Sequence, residues 1–306
     1  MTFADRLDYA VARVGHPCIV GLDPHFDLLP DEFAAARQPN VPRAERATAL
    51  AAFCRELIDV CAGRVAAVKP QSAFFEVLGG FGVAAWEEVV HASHAAGLLV
   101  IGDVKRGDIA STSAAYASAY LEGVPGRDPS TLCDAITVNP FLGDDSIEPF
   151  VDACERTEKG IFVLVRTSNR GADRFQHHGS PELCYEVADA VDRWGARLAS
   201  DSGLSSVGAV VGATHTDELA ALRARMPHAT LLLPGYGHQG ATAADVVPAF
   251  VPGPEGPRGA LVSSSRAIAF AYRSSGGSGT KHWKDAAREA LNAMIAEVSS
   301  ALQAHD

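Results

Sequence analysis

Short apolar runs alternate along the chain with longer amphipathic stretches. Eight such runs, mostly bounded by Gly, Pro or Asp, span residues 18–22, 65–68, 98–102, 135–138, 161–165, 207–211, 230–233 and 260–262. Continuous apolarity, rather than alternation of apolar and polar residues, is typical of strands that are covered on both faces. The pattern therefore predicts eight parallel strands wrapped by helices.

The stretches between these runs have helical spacing, since their apolar residues recur every three or four positions. The clearest of them are residues 50–61, 183–198 and 283–298. We expect Ser180 and Pro181 to begin one helix, as its N-cap and first helical residue. Thr214 with Asp217 predicts another helix start, and Gly97 predicts the end of the helix before the third strand.

Eight strand–helix units without a break in composition favour one closed (β/α)₈ TIM barrel, an α/β fold, over residues 1–306. A doubly wound open sheet is the alternative architecture. The chain of 306 residues exceeds a barrel of about 250 residues. We expect the surplus in loops, chiefly residues 25–42, 167–181, 252–258 and 274–280.

Composition and charge narrow the class of protein. Hydrophobic residues make up 47% and charged residues 21%, which indicates a globular chain. A net charge of −11 argues against binding to nucleic acid or to an anionic membrane. The apolar runs are far shorter than the ~20 residues of a membrane span, and charged residues near the start leave no signal-peptide core, so we predict a cytoplasmic protein. The six cysteines lie mostly in apolar runs, which predicts buried free thiols.

Polar residues at the carboxyl ends of the strands are the candidates for an active site in a barrel. The densest group is Lys69, Asp103 and Lys105. Asp103 and Lys105 are two residues apart, so an extended strand points both toward the same face. A carboxylate between two lysines keeps all three groups charged, which predicts an ammonium group poised to donate a proton. A structural ion-pair network at the top of the barrel is the alternative.

The loops after the seventh and eighth strands predict a phosphate site. Gly235, Gly237 and Gly240 leave backbone amides unobstructed, and Arg266 follows the next strand. Barrels frequently bind phosphate at this position with amides and a positive side chain. A glycine-rich tight turn without a ligand is the alternative. We find no spacing typical of metal ligands, and therefore expect no metal.

These motifs together resemble the orotidine 5′-phosphate decarboxylase family, in its long bacterial form. They follow in strand order as GLDP at 21–24, VKPQ at 68–71, DVKRGDI at 103–109, Thr112, VNPF at 138–141, RTSN at 166–169, PGYGHQG at 234–240 and SSR at 264–266. The chain departs from the family at Arg170, where the long form usually has Pro. We expect Arg170 to face solvent, the alternative being an altered turn beside the pyrimidine.

The resemblance implies decarboxylation of orotidine 5′-monophosphate to UMP, the last step of de novo pyrimidine biosynthesis, without metal or organic cofactor. Its catalytic residues would be Lys69, Asp103, Lys105 and Asp108, with Lys105 protonating carbon 6. It also implies a homodimer with shared active sites, in which Asp108 and Thr112 reach the partner's site.

The substrate-binding residues are implied in the same way. Asp23 would contact the ribose and Ser168 the pyrimidine edge. The phosphate would be bound by Gly235, Gly237, Gln239 and Arg266, and its binding would close the loop 235–240. Three alternatives stay open: a Schiff-base aldolase, a Mg²⁺-dependent sugar-phosphate decarboxylase, and a phosphate-binding barrel without catalysis.

Overall fold

The strands of the computed structural model form a closed parallel barrel in chain order, with the eighth strand pairing with the first. The structure describes residues 1–213, 216–237, 240–254, 256–273 and 283–305. The strands are β1 Cys18–Leu22, β2 Ala67–Pro70, β3 Leu99–Arg106, β4 Ala135–Val138, β5 Gly160–Arg166, β6 Ser205–Val211, β7 Ala229–Pro234 and β8 Ala260–Ser264. Each predicted run overlaps one strand, so the predicted (β/α)₈ barrel is confirmed and the open sheet is wrong.

Helices lie outside the barrel and at its two ends. They are α1 Phe3–Val14, α2 Arg43–Cys61, α3 Ala73–Glu76, α4 Gly80–Ala95, α5 Ala110–Ala117, α6 Asp144–Thr157, α7 Asp173–Gln176, α8 Leu183–Gly195, α9 Thr216–Arg225, α10 Ala243–Val246, α11 Arg266–Ala269 and α12 Trp283–Gln303. The long loop after β1 is built from two 3₁₀ turns, Phe26–Leu28 and Asp31–Arg37. Across the described ranges, none of these helices has both the length and the apolarity that a membrane span requires.

The predicted helix ends were partly right. Gly97 follows α4 with a φ of 74°, the left-handed conformation that glycine adopts easily, so this prediction is confirmed. The prediction that Ser180 and Pro181 begin a helix is wrong, because α8 begins at Leu183. Ser180 and Pro181 instead lie in a turn closed by the Leu183 amide, which donates to the His178 carbonyl at 2.9 Å. Thr214 lies outside the described residues.

Apolar side chains fill the barrel interior near the amino-terminal ends of the strands, and α1 covers this end. The Phe3 ring meets Phe162 edge to face, with centroids 6.0 Å apart. A β-carbon on Gly160 would lie 2.2 Å from the Phe3 ring, so this position requires glycine. Because α1 covers this end, the open mouth formed by the carboxyl ends of the strands is where a site is expected in a barrel.

All six cysteines are buried and free of disulfide bonds, as predicted. Burial raises the pKa of the Cys18, Cys61 and Cys133 thiols to about 12. These thiols are therefore protonated at neutral pH and pack as small apolar groups.

Asp134, just before β4, is a buried carboxylate held by three donors at the amino-terminal end of the barrel. Arg6 Nη1 lies 2.5 Å from its Oδ1, while His94 Nε2 and the Val100 amide lie 3.0 and 2.9 Å from its Oδ2. Burial alone would raise the pKa of Asp134, but the hydrogen bonds from His94 and Arg6 lower it to about 2. His94 lies in the last turn of α4, and Asp134 is forty residues away from it in the sequence, so a helical pattern does not indicate this pair.

Replacing Asp134 with asparagine is expected to lower the free energy of unfolding by about 2 kcal/mol near pH 7, because two paired cations lose their counter-charge. Since folding lowers the pKa of Asp134 from 3.8 to about 2, its contribution exists above pH 4 and disappears as the pH falls toward 2. Urea unfolding at several pH values measures this. Asp152→Asn, at an exposed pair with Arg197, is the control and should change stability little. A pH-independent difference between Asp134→Asn and wild type would contradict the prediction.

Candidate active site

The mouth of the barrel holds one carboxylate between two lysines. Lys69 at the end of β2 donates from Nζ to Asp103 Oδ2 at 2.6 Å, and Lys105 on β3 donates to Oδ1 at 2.5 Å. Lys69 and Asp103 are 7% and 6% exposed, whereas the Lys105 side chain is 47% exposed. The structure thus brings together three of the four predicted catalytic residues, and Lys105 is the most exposed of them.

In the group of Lys69, Asp103 and Lys105, the opposite charges favour each other's ionised form. Burial alone would raise the pKa of Asp103, but Lys69 and Lys105 hold it well below its usual range. Burial alone would lower the pKa of Lys69, but the carboxylates of Asp103 and Asp23 raise it instead. Lys69 is therefore an ammonium group and Asp103 a carboxylate at neutral pH.

Lys105 reaches Asp103 through a bulge, not through the regular alternation of a strand. The β3–β4 register passes from Gly102 opposite Ile136 to Arg106 opposite Val138, so β3 carries extra residues at this point. Lys105 has a φ of 45°, which is rare for a residue other than glycine. Asp103 and Lys105 both face the mouth, as predicted. The reason we gave, the regular alternation of an extended strand, was wrong, because a bulge changes the direction of side chains and is not visible in their spacing.

Two cavities open on either side of Lys105. The larger, of about 880 Å³, is lined by Lys69, Asp103, Thr137, Ser168 and Pro234 among others. The smaller, of about 520 Å³, is lined by Asp23, His25, Gln71 and Arg106 among others. Since Lys105 lines both, a ligand that spans the two cavities would contact Lys105.

Asp23 and Ser265 present unsatisfied oxygens at the ends of β1 and β8. Asp23 Oδ1 and Ser265 Oγ are buried and have no hydrogen-bond partner within the described part of the chain. A β-carbon on Gly21 would lie 2.7 Å from Ser265 Cβ and 3.5 Å from Asp23 Oδ1, so glycine leaves room for both. Buried polar atoms are normally paired, so these two oxygens are candidates for hydrogen bonds with a ligand.

The predicted phosphate residues lie around β7 and β8. Gly235 and Gly237 have φ values of 100° and 77°, which glycine alone adopts without strain. A β-carbon on Gly237 would lie 3.7 Å from Ala267 Cβ, so this loop packs beside Arg266. The Gly237 amide donates to the Ala241 carbonyl at 3.3 Å, within the loop itself. Gln239 lies outside the described residues.

The turn that carries Ser168 is held by a glutamine that sequence reasoning missed. Gln176 Oε1 accepts from the Thr167 amide and its Nε2 donates to Thr167 Oγ1, both at 2.9 Å. Ser168 lines the larger cavity, whereas Arg166, at the end of β5, does not line it and pairs with Asp173 and Glu218. Arg170 is exposed, as expected.

Three residues of the types that bind metal ions lie close together near Gln176. Their spacing in the sequence is not one typical of a metal site. Ligand atoms of His177, Glu182 and Cys184 lie within 4.8 Å of one another. His177 Nε2 is also 3.0 Å from Glu218, whose other oxygen lies 2.6 Å from Arg166. His177 thus already has Glu218 as a partner within the protein, and we assign no ion to the group.

Asp108 and Thr112 lie away from the lysine–aspartate group of their own chain. Asp108 Oδ1 accepts from the Ile109 amide at 2.8 Å and makes no ion pair within the described ranges. Thr112 is exposed on the first turn of α5. The structure therefore does not bring the fourth predicted catalytic residue into the site of the same subunit.

Comparison with known proteins agrees with this geometry. Residues 18–275 match the orotidine 5′-phosphate decarboxylase / HUMPS family. The orotidine 5′-phosphate decarboxylase of Rhodopirellula baltica is 44% identical over 304 residues, covering 96% of this chain and 98% of the relative. That of Deinococcus radiodurans is 45% identical over 303 residues, covering 98% of each.

A solved structure extends the likeness to three dimensions. The OMP decarboxylase of Leishmania donovani superposes with a TM-score of 0.74 at 31% identity, covering 99% of this chain and all of that one. The match thus includes the strand ends that carry Lys69, Asp103 and Lys105 as well as the loops around them. With its barrel, its strand-end lysines and its full-length relatives in agreement, this chain belongs to the orotidine 5′-phosphate decarboxylase / HUMPS family.

Proposed function

We propose that this protein removes CO₂ from orotidine 5′-monophosphate to form UMP, the last step of de novo pyrimidine biosynthesis. The observation that carries the proposal is one buried carboxylate, Asp103, hydrogen bonded at 2.6 and 2.5 Å to the ammonium groups of Lys69 and Lys105. The proteins named orotidine 5′-phosphate decarboxylase that it resembles over nearly its full length support the same reaction.

The chain's own lysines can perform this chemistry. The bond between carbon 6 and the carboxylate carbon breaks, CO₂ leaves, and the electron pair stays on carbon 6. The ring offers no conventional electron sink, so the positive charge of Lys105 stabilises the developing carbanion. A proton from Lys105 Nζ then forms the new C–H bond, and the lysine regains a proton from water. Lys69 holds Asp103 and Asp103 holds Lys105, so the donor is in place before reaction.

The remaining site residues are assigned to the parts of the nucleotide. We place the ribose at Asp23, whose unpaired Oδ1 can accept from a hydroxyl, and the pyrimidine edge at Ser168. The phosphate is assigned to Arg266 with Gly235, Gly237 and Gln239. Because the phosphate lies far from carbon 6, its binding energy can organise the site without touching the reacting atoms.

An aldolase mechanism is less well supported at Lys69. A Schiff base forms from a neutral amine, whereas the carboxylates around Lys69 raise its pKa and keep it protonated. Borohydride trapping with a sugar phosphate tests this directly. A covalent adduct on Lys69 or Lys105 would contradict the noncovalent mechanism.

The experiment that tests the proposal is an ultraviolet assay of orotidine 5′-monophosphate, run with and without EDTA. We expect the substrate absorbance to disappear at the same rate in both, since two lysines supply the positive charge. Absence of turnover would contradict the decarboxylase, and turnover that stops with EDTA would indicate a metal-dependent reaction instead.

Replacing Arg266 with alanine is expected to lower kcat/KM for orotidine 5′-monophosphate by about 100-fold, since a charge-assisted hydrogen bond to phosphate is lost. Turnover of orotidine, which lacks the phosphate, should stay unchanged. Steady-state kinetics on both substrates measure this, with Arg13→Ala on the exposed face of α1 as the control. An equal loss with orotidine would remove Arg266 from the phosphate site.

We also infer that the active protein is a homodimer whose subunits share their active sites. Large apolar side chains beside the mouth are exposed, with Ile109 at 56%, Phe141 at 74% and Leu142 at 50%. Such a patch is typical of a surface that binds a partner. A second copy would cover it and supply Asp108 and Thr112, which lie away from the site of their own chain. Sedimentation should show twice the chain mass of 32.1 kDa.

We further infer that residues 1–306 form one catalytic domain. At one end of the chain α1 closes the barrel, and at the other α12 packs against α2, α10 and α11. Both terminal helices therefore bury apolar surface on the barrel and its helices. Limited proteolysis should yield no stable fragment that lacks either helix.

A further inference from the structure

A single threonine hydroxyl lies between the backbone of Lys105 and the side chain of Asp103. Thr137, on β4, is 1% exposed. Its Oγ1 accepts from the Lys105 amide at 2.9 Å and donates to Asp103 Oδ1, also at 2.9 Å. One hydroxyl therefore uses both its donor and its acceptor on the two residues that form the proton-donating pair.

The position of Thr137 explains how the bulge in β3 is tolerated. The bulged residues face Thr137, since the regular register ends at Ile136 and resumes at Val138. In a regular ladder the Lys105 amide would pair with a carbonyl of the neighbouring strand, but here it pairs with the Thr137 side chain. An amide that is partly shielded from water loses stability when it is unpaired, so this hydroxyl supports the φ of 45° at Lys105.

Thr137 also restricts Asp103. Asp103 Oδ1 accepts from both Lys105 Nζ and Thr137 Oγ1, while Oδ2 accepts from Lys69. A threonine suits this task because its branched side chain has few rotamers in a strand. The carboxylate plane is thereby set by donors from β2, β3 and β4, and not by the lysines alone.

We propose that Thr137 is a positioning residue, which holds the Lys105 backbone in its left-handed conformation and aims the Lys105–Asp103 pair at carbon 6. The inference rests on the proposed function and assigns a role to a residue outside the lysine–aspartate group. Thr137 itself transfers no proton to the substrate. Its loss should therefore slow the chemical step without weakening the binding of the nucleotide.

The test compares Thr137→Val, which keeps the shape and removes the hydroxyl, with Thr137→Ser, which keeps the hydroxyl. We expect Thr137→Val to lower kcat by about 10- to 100-fold with KM and the Kd of UMP changed less than about threefold. Thr137→Ser should restore kcat to within about threefold of wild type. Thr230→Val, at a buried threonine of β7, is the control and should leave kcat unchanged. If the valine variant does not fold, Thr137→Ala replaces it under the same criteria.

Several results would overturn the proposal. They are a kcat for Thr137→Val within twofold of wild type, an equal loss in Thr137→Ser, or a fall in kcat matched by equal weakening of UMP binding. Crystal structures give a readout that does not depend on activity. In Thr137→Val, Lys105 should leave the left-handed region or its Nζ should move away from Asp103, and an unchanged arrangement contradicts the proposal. Wild-type protein without turnover would instead contradict the decarboxylase.

Discussion

Lys105→Ala is expected to lower kcat for orotidine 5′-monophosphate by at least ~10⁴-fold, because one substitution removes both the stabilising charge and the proton donor. UMP binding should survive, since Asp23, Ser168 and Arg266 stay in place. Asp103 keeps Lys69 and Thr137 as partners, so the barrel should still fold. Single-turnover ultraviolet kinetics and calorimetric titration with UMP measure the two effects.

Lys284→Ala serves as the matched control for this variant. Lys284 is an exposed lysine of α12 that pairs with Glu56, away from the barrel mouth, and its loss should leave kcat unchanged. A rate within tenfold of wild type for Lys105→Ala would remove Lys105 from the role of proton donor. Loss of UMP binding together with the rate would indicate a damaged site and not a missing acid.

Mixing inactive Asp108→Asn and Lys105→Ala subunits is expected to restore activity. If each site combines Lys105 of one chain with Asp108 of the other, a heterodimer has one intact site and one doubly substituted site. A verified heterodimer should then reach about half the wild-type rate. Each variant alone should fall by at least ~10²-fold, since each loses a charged group of the site.

Differently tagged subunits, refolded together and purified through both tags, provide the heterodimer. A mixture of Lys105→Ala with Asp103→Asn is the control, because both residues lie in the same subunit's site and each of the two sites keeps one defect. Recovery in that control would indicate that subunits exchange intact segments. No recovery with Asp108→Asn would mean that Asp108 acts within its own chain or not at all.

Much of the site could be predicted because the active-site residues of barrels lie at the carboxyl ends of the strands. Lys69, Asp103 and Lys105 follow apolar runs, and the structure brings their charged atoms within hydrogen-bond distance. Thr137 had only a weak signal, a polar residue inside an apolar run. Its side chain faces the barrel interior two residues after Ala135, and only the pairing of β3 with β4 shows what it contacts.

Arg166 shows where strand-end reasoning fails. It follows an apolar run like the lysines do, yet its side chain is buried outside the mouth against Glu218 of α9. Sequence analysis does not indicate the contacts of Gln176 and His94 for the same reason. Their partners are distant in sequence or lie in irregular turns, where no periodic pattern indicates direction.

The sequence by itself determined the eight strands, the closed barrel, the family and most of the strand-end residues, because burial on both faces and strand-end placement leave local, periodic signals. Only the tertiary structure decided how Lys105 meets Asp103. That contact depends on a bulge and on a positive φ at Lys105, both stabilised by a hydroxyl from the neighbouring strand. The hydrogen bond joins Lys105 and Thr137, which are thirty-two residues apart in the sequence, and it depends on the register between β3 and β4. The pattern of residues within either strand does not indicate that register.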